Sequence, residues 1–458
     1  MNSWKVKQLF DSWKKITGKS TNRQIFSVAL LVGILTVLVK LVAIGKELVI
    51  AWRFGTEDTL DAFLIAFTIP SFLATVVAGP LSNAFIPAYI RVKEHKGRET
   101  AQKLFAGTLF YGFALLAAIT IITAIAAPLY LPLIASGFSA KKLEISFHLL
   151  RATAPFILFS GISTILSAVL NAEERFTTAA LAPILTATTC IFFLLVFPAW
   201  GVFGLAAGLI SGAVLEIVLL GVTLYRQRIS FHLKKLYSFD AHLRELASQY
   251  VPMVAAALLI CSAIPVDQSM AAMLLPGSIS ALNYGNRVTL SILTLIATAL
   301  NTAVMPYFSK MLAGGDWAGI SNTYKRYIQL ILSVTIPLAG LFTVFSEPLI
   351  QLLYQRGSFT SEDTRIVAQI QAFYALGIPF YLGDILAVAL IKALGISHVL
   401  IWISGINLLL NIILNYIFLQ WMGVKGIALS TSFVYLFSFL VLLFFTQKRL
   451  KIISNSTN

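Results

Sequence analysis

Two cysteines, five histidines and 19 acidic residues are little chemistry for a chain of 458 residues. Cys190 and Cys261 both fall inside strongly apolar stretches, which excludes a disulfide framework and a thiolate metal site. His95, His148, His232, His242 and His398 are scattered, and neither HExxH nor CxxC occurs, so zinc hydrolysis has no ligand set. No G-x-x-x-x-G-K-[ST] run is present, which leaves the chain without an ATP engine of its own. Clustered acids in a large loop, the mark of a membrane glycosyltransferase, are missing too. The expectation is no enzyme, no metal and no cofactor. Charge is also scarce: 12% of residues are charged against 58% hydrophobic, and the mean hydropathy is +0.86. That balance excludes a soluble globular domain.

What is present is apolar length. Stretches near the 20 or so residues that cross about 30 Å of hydrocarbon occupy 27–51, 60–89, 104–134, 147–171, 176–199 and 202–224. A second set occupies 247–275, 279–308, 327–354, 368–394, 397–419 and 424–446. The second set repeats the first. Leu81 to Pro87 (LSNAFIP) matches Leu300 to Pro306 (LNTAVMP) at an offset of 219; Pro128 and Gly137 meet Pro348 and Gly357 at 220. Gly201-Val202-Phe203-Gly204 meets Gly423-Val424-Lys425-Gly426 at 222, and Pro155-Phe156 meets Pro379-Phe380 at 224. Six crossings return the chain to the side it entered from, so the repeats are parallel. The expected fold is an all-α polytopic membrane protein with two parallel pseudo-symmetric six-helix lobes and twelve transmembrane helices. Its parts are an amphipathic segment 1–24, an N-lobe 25–225, a linker 226–246, a C-lobe 247–447 and a tail 448–458. Such paired bundles rock against each other around a central site in many secondary transporters, and Gly45, Pro70, Pro155 and Pro379 are expected bend points.

The net charge of +15 is a topology signal rather than a nucleic-acid footprint. Of the 34 Lys and Arg residues, 24 fall on the side of the N-terminus and six on the other, which places both termini in the cytoplasm. Residues 1–24 interleave Trp4, Leu9, Phe10, Trp13 and Ile16 with Lys5, Lys7, Lys14 and Lys15, the pattern of a helix lying on a membrane surface, and no cleavage is expected there.

Ionisable residues at membrane depth are functional candidates, because a charge there costs at least about 2.5–3.5 kcal/mol. Lys40 lies 13 residues into the first stretch, roughly 20 Å along a helix, and Arg287 eight residues into the eighth, roughly 12 Å. With Lys46 they are expected to line a cavity for an anion, Arg through its planar fork and Lys as a point charge. Snorkelling or an internal ion pair is the structural alternative. Glu47 is expected to hold Lys40 or Lys46, and Asp61 to cap or orient the second helix. Asp267 and Asp384 are candidates for a proton or cation site, and Arg151 for an interface anchor.

Phe54-Gly55, Asp61-Ala62-Phe63, Ile69-Pro70 and Ala84-Phe85-Ile86-Pro87 resemble the FG, DAF, IP and AFVP elements of the MurJ (MviN) lipid flippases of the MOP exporter superfamily. Val266-Asp267 and the run Pro276 to Arg287 (PGSISALNYGNR) are similar to that family's VD and PEGSxSALxYAxRL elements. The resemblance implies a flippase of the bacterial inner membrane that carries a polyprenyl-diphosphate-linked glycan, lipid II in the type family, to the outer leaflet. It implies Arg287 as a cavity arginine, Lys40 and Lys46 in place of arginines, and Glu47 in place of an aspartate. Leu73, Ala74 and Thr75 stand where the family carries paired arginines, and the family's two further C-terminal helices have no counterpart. The expected partners are the lipid-linked diphosphate sugar, membrane lipids and cell-wall synthesis proteins, with coupling to a cation or the membrane potential. The alternatives are another lipid-linked oligosaccharide, a MATE-type drug or cation antiporter, and a non-transporting scaffold.

Overall fold

The computed structural model describes residues 21–227, 229 and 241–457. The surface helix expected over 1–24, its last four residues apart, and most of the linker 226–246 lie outside them. Among the described residues there is no strand, and helix covers each of the twelve expected stretches. Among the described residues, nine helices are long and apolar enough to cross a bilayer. The expected all-helical membrane fold is therefore the one observed.

The first stretch is α1 (Thr21–Phe54), and the second and third run together in α2 (Asp58–Ile134). A helix of 77 residues is far longer than a bilayer is thick; it turns at Gly97, where φ +83° and ψ 167° need a residue without a β-carbon. The fourth stretch is broken at Ala154-Pro155 into α3 (Ala140–Thr153) and α4 (Phe156–Ala172). The fifth is broken at Pro183 into α5 (Phe176–Leu181) and α6 (Ile184–Val196), and α7 (Val202–Arg226) is the sixth. The seventh divides at Ser262 into α8 (Ala241–Cys261) and α9 (Ala263–Ala271), followed by α10 (Ser278–Ala313), α11 (Trp317–Val344) and α12 (Ser346–Tyr354). The last three are α13 (Ser361–Ala375) with α14 (Ile378–Ala393), α15 (His398–Met422) and α16 (Val424–Thr457). Breaks stand at Pro155 and before Pro379, as expected where proline removes a backbone donor. Gly45 and Pro70 lie inside helices that continue past them, because the neighbouring turns keep their hydrogen bonds.

The internal repeat is visible in the backbone. Gly201, ahead of α7, has φ +51° and ψ −131°; its counterpart Gly423, ahead of α16, has φ +61° and ψ −142°. Only glycine enters that region without strain, so the shared GVxG pattern is one turn used twice.

The chain forms two compact units, and their boundary does not follow the sequence repeat. One comprises Met1–Glu47, Leu81–Ala117 and Leu158–Gln249; the other comprises Leu48–Pro80, Ala118–Ile157 and Tyr250–Asn458. In the first, Gly204, Gly208 and Gly212 make a stripe on α7 against α6. A β-carbon at Gly208 would lie 2.6 Å from the Cys190 Cα, and one at Gly212 would strike Thr186. Small residues at four-residue spacing bring membrane helices into backbone contact in this way. In the second, Phe308, Tyr324, Ile378, Leu386 and Ile391 are among the fully buried residues of a continuous core.

At the expected cytoplasmic ends of the first unit, Glu173 ties two turns together. Tyr89 Oη and Lys93 Nζ each donate to its carboxylate at 2.8 Å. Burial alone would raise the Glu173 pKa, but the hydrogen bonds from Lys93 and Tyr89 and the charges of Lys93 and Arg98 outweigh it and hold the carboxyl below its ordinary value. A depressed carboxyl stabilises the fold fully above its unfolded pKa, near 4.3, and loses that stabilisation as pH falls through the lower folded value. Glu173→Gln is expected to lower the melting temperature at neutral pH, by less than about 1 kcal/mol for a partly solvated pair. The difference from the parent should vanish in melts taken progressively deeper into acid.

Candidate functional site

In the first unit the membrane-depth charges singled out from the sequence are all on α1. Lys40 is exposed, while Lys46 and Glu47 are half-buried and form an ion pair at 3.1 Å. Cys190 of α6 lies within electrostatic reach of that pair. In the second unit Arg287 is exposed on α10, ten residues after Gly277. Lys40 and Arg287 thus belong to different units, and neither is buried in its own.

Of the two parts expected of Asp61, capping and orienting its helix, capping is not the one observed. Its carboxylate does not cap its own helix, α2, but accepts from the Gly277 N–H at 2.7 Å, the Ser280 N–H at 2.8 Å and the Ser280 hydroxyl at 2.6 Å. It therefore closes the N-terminus of α10, where unsatisfied N–H groups and the helix dipole favour an anion. Lys142 Nζ lies 3.5 Å from Asp61, bonds Asp58, and sits 3.7 Å above the Phe138 ring. At 1% exposure Asp61 is shut off from solvent, so its charge is answered wholly by these partners.

Around this carboxylate, residues from the two sequence repeats interlock within the second unit, at helix ends assigned to the exterior. Gly357, with φ +62°, lets its loop press on the Trp52 carbonyl, and Ser358 N–H donates to that carbonyl at 2.9 Å. Its repeat counterpart, Gly137, presses on the Ala272 carbonyl. Trp52 and Ala272 are themselves 220 positions apart, so each repeat sets a loop glycine on the end of the other's first helix. Thr56 bonds Asp363, whose other oxygen completes a capping box with Thr360 on α13. Thr68 bonds Gln268.

Asp267 of α9 stands at a polar cluster deeper in this unit. Its Oδ1 accepts from Asn415 Nδ2 at 2.7 Å and Asn411 Nδ2 at 3.1 Å, and Ser430 of α16 bonds Asn415. Asp384 of α14 accepts from Ser438 Oγ at 2.8 Å, and Ser438 accepts from Asn407 Nδ2 at 3.0 Å. Asp267 bonds α15 directly and Asp384 reaches it through Ser438; Asn407, Asn411 and Asn415 are four apart and lie on one helix face. That spacing in an apolar stretch was readable in the sequence and marks a polar face the acid count alone misses. Glu216 of α7, a carboxylate inside the sixth stretch, was missed as well; attention to basic residues passes over it. Among the described residues no group of three or more His, Cys, Asp or Glu is placed to hold a metal ion.

The family model described as "Lipid II flippase MurJ" matches residues 50–457. A probable lipid II flippase MurJ of Synechocystis sp. is 28% identical over 454 residues, covering 95% of this chain and 83% of that protein. One from Thermotoga maritima is 27% identical, covering 88% and 81%. Among solved structures, a lipid II flippase MurJ in an inward closed conformation superposes with a TM-score of 0.79 at 27% identity, over 93% of this chain and 90% of that one. An inward-facing multidrug resistance MATE transporter of the MOP superfamily gives 0.78 at 14% identity, over 93% and 100%, a likeness of fold alone.

Asp61→Ala would strand the buried Gly277 and Ser280 N–H groups, at a cost of about 1–3 kcal/mol. The expected outcome is a lower melting temperature in detergent, with Asp61→Asn losing less because it keeps one acceptor. An unchanged melting temperature in Asp61→Ala would show that the carboxylate does not hold these helix ends.

Proposed function

The chain belongs to the lipid II flippase MurJ family, and on that premise we propose how it works as a transporter of lipid II rather than as an enzyme. The observation that carries the proposal is that Lys40 and Arg287 are exposed at membrane depth. A cation at that depth persists where water or an anion reaches it, and the diphosphate of a lipid-linked sugar is such an anion. Because Leu73, Ala74 and Thr75 supply no charge in the second helix, the diphosphate falls to Lys40, Lys46 and Arg287. Arg287 offers the one bidentate fork of the three. Glu47, paired with Lys46, holds that lysine until the diphosphate competes for it.

The interlocked helix ends around Asp61 act as the outer gate. They must part for the head group to leave, and the buried capping of α10 by Asp61 sets much of the cost of parting them. Resetting draws on the membrane potential or on a monovalent cation or proton taken at Asp267. That cluster supports such a role because, among the described residues, neutral amide N–H groups hold the Asp267 carboxylate with no lysine or arginine bonded to it, so an arriving proton or cation has no resident charge to displace. Both termini are cytoplasmic in this scheme, the membrane is the bacterial inner membrane, and cell-wall synthesis proteins are the partners that consume the product outside.

Arg287→Ala is expected to cut flipping of a labelled lipid-diphosphate sugar in proteoliposomes about tenfold or more, the loss of a charged contact worth about 1.5–3 kcal/mol. Arg287→Lys should recover part of it, and undiminished transport in the alanine variant would remove Arg287 from the site. Asp267→Asn should make the transport rate insensitive to the cation or proton gradient imposed; a gradient response equal to the parent's would move coupling elsewhere.

A further inference from the structure

Glu216 is an acid at membrane depth that the transport scheme does not use. It lies 14 residues along α7, roughly 21 Å from Val202 at 1.5 Å per residue. The glycine stripe of α7 runs Gly204, Gly208, Gly212, and the next residue of that four-residue series is Glu216 itself. Where the glycines bring the backbones of α6 and α7 together, the carboxylate follows and is held between helices. Thr186 Oγ1 of α6 donates to one carboxylate oxygen at 2.5 Å, and Ser163 Oγ of α4 donates to the other at 3.0 Å. Three helices of the first unit thus meet on one ionisable group.

Among the described residues Glu216 bonds neutral hydroxyls and forms no ion pair. The elements packed on α7 include α4, α5 and α6; α4 and α5 have no titratable residue, and α6 has Cys190 alone. Beyond Cys190 lie Lys46 and Glu47 of α1, which pair with each other. On α7 itself the other titratable groups, Tyr225 and Arg226, are more than two turns away at its far end. A glutamine here would bridge the same two hydroxyls without the cost of a charge at membrane depth. What glutamate adds is the ability to exchange a proton.

We propose that Glu216 is a proton-binding site of the first unit, distinct from the Asp267 cluster, and that its proton switches the contact between α4, α6 and α7. An ionised carboxylate only accepts hydrogen bonds and takes both hydroxyls, whereas a protonated one must also donate. On proton uptake one of the two hydroxyls therefore has to reverse its role or turn to the carbonyl four residues back on its own helix. One proton thus alters the bridge joining three helices. That the proton serves the transport cycle rests on the proposed function; proton binding does not.

The test uses the full chain in liposomes and pH-difference infrared spectroscopy, with no substrate. Between about pH 8 and about pH 5, where buried carboxyl groups titrate, the parent should gain a protonated-acid C=O band that is lost in Glu216→Gln. Glu216→Asp, which keeps an acid on a shorter stem, should retain a band with a displaced frequency and pH midpoint, and it serves if the glutamine variant does not fold. Identical difference spectra in the parent and both variants would overturn the proposal. Transport is measured separately, so a parent that shows the band but moves no lipid-linked sugar would refute the proposed function and leave the proton site standing.

Discussion

A polar group inside a membrane has no water to fall back on, and this constraint organises the whole chain. It accounts for helix in every apolar stretch, since a helix satisfies its backbone from within. It also explains the closing of a helix start that solvent does not reach, that of α10 by Asp61. The exposed start of α13, capped by Thr360 and Asp363, and the Ser358 bond to the Trp52 carbonyl fasten ends that water could also serve.

The same constraint makes the interior acids conspicuous. Asp267, Asp384 and Glu216 each accept from neutral hydroxyl or amide donors rather than from a basic side chain. Asp61 and Glu173, nearer the helix ends, do have a lysine within 3.5 Å. The placement separates acids that meet a lysine from acids held by neutral donors alone.

Much was legible before any coordinates. Helix followed from apolar length, and the internal repeat followed from GVxG and the paired prolines, because a positive-φ turn and a proline break leave residue signatures. Of the expected bend points, Pro155 and Pro379 mark real breaks, whereas Gly45 and Pro70 do not. A small or kink-prone residue permits a bend without compelling one. The partners of Asp61 were illegible, since Gly277 and Ser280 lie more than 200 positions away and a capping signal in sequence points only to the nearest helix.

The sequence by itself determined the membrane class, the doubled architecture and, through its family signatures, the lipid-linked substrate. These depend on composition and spacing along the chain. Tertiary structure alone decided which acids meet a lysine and which meet only neutral donors, that residues 48–80 and 118–157 pack with the second repeat, and that Glu216 joins three helices. Those outcomes come from contacts across tens to hundreds of positions, set by glycine-permitted close approach and by the demand that each polar group find a partner.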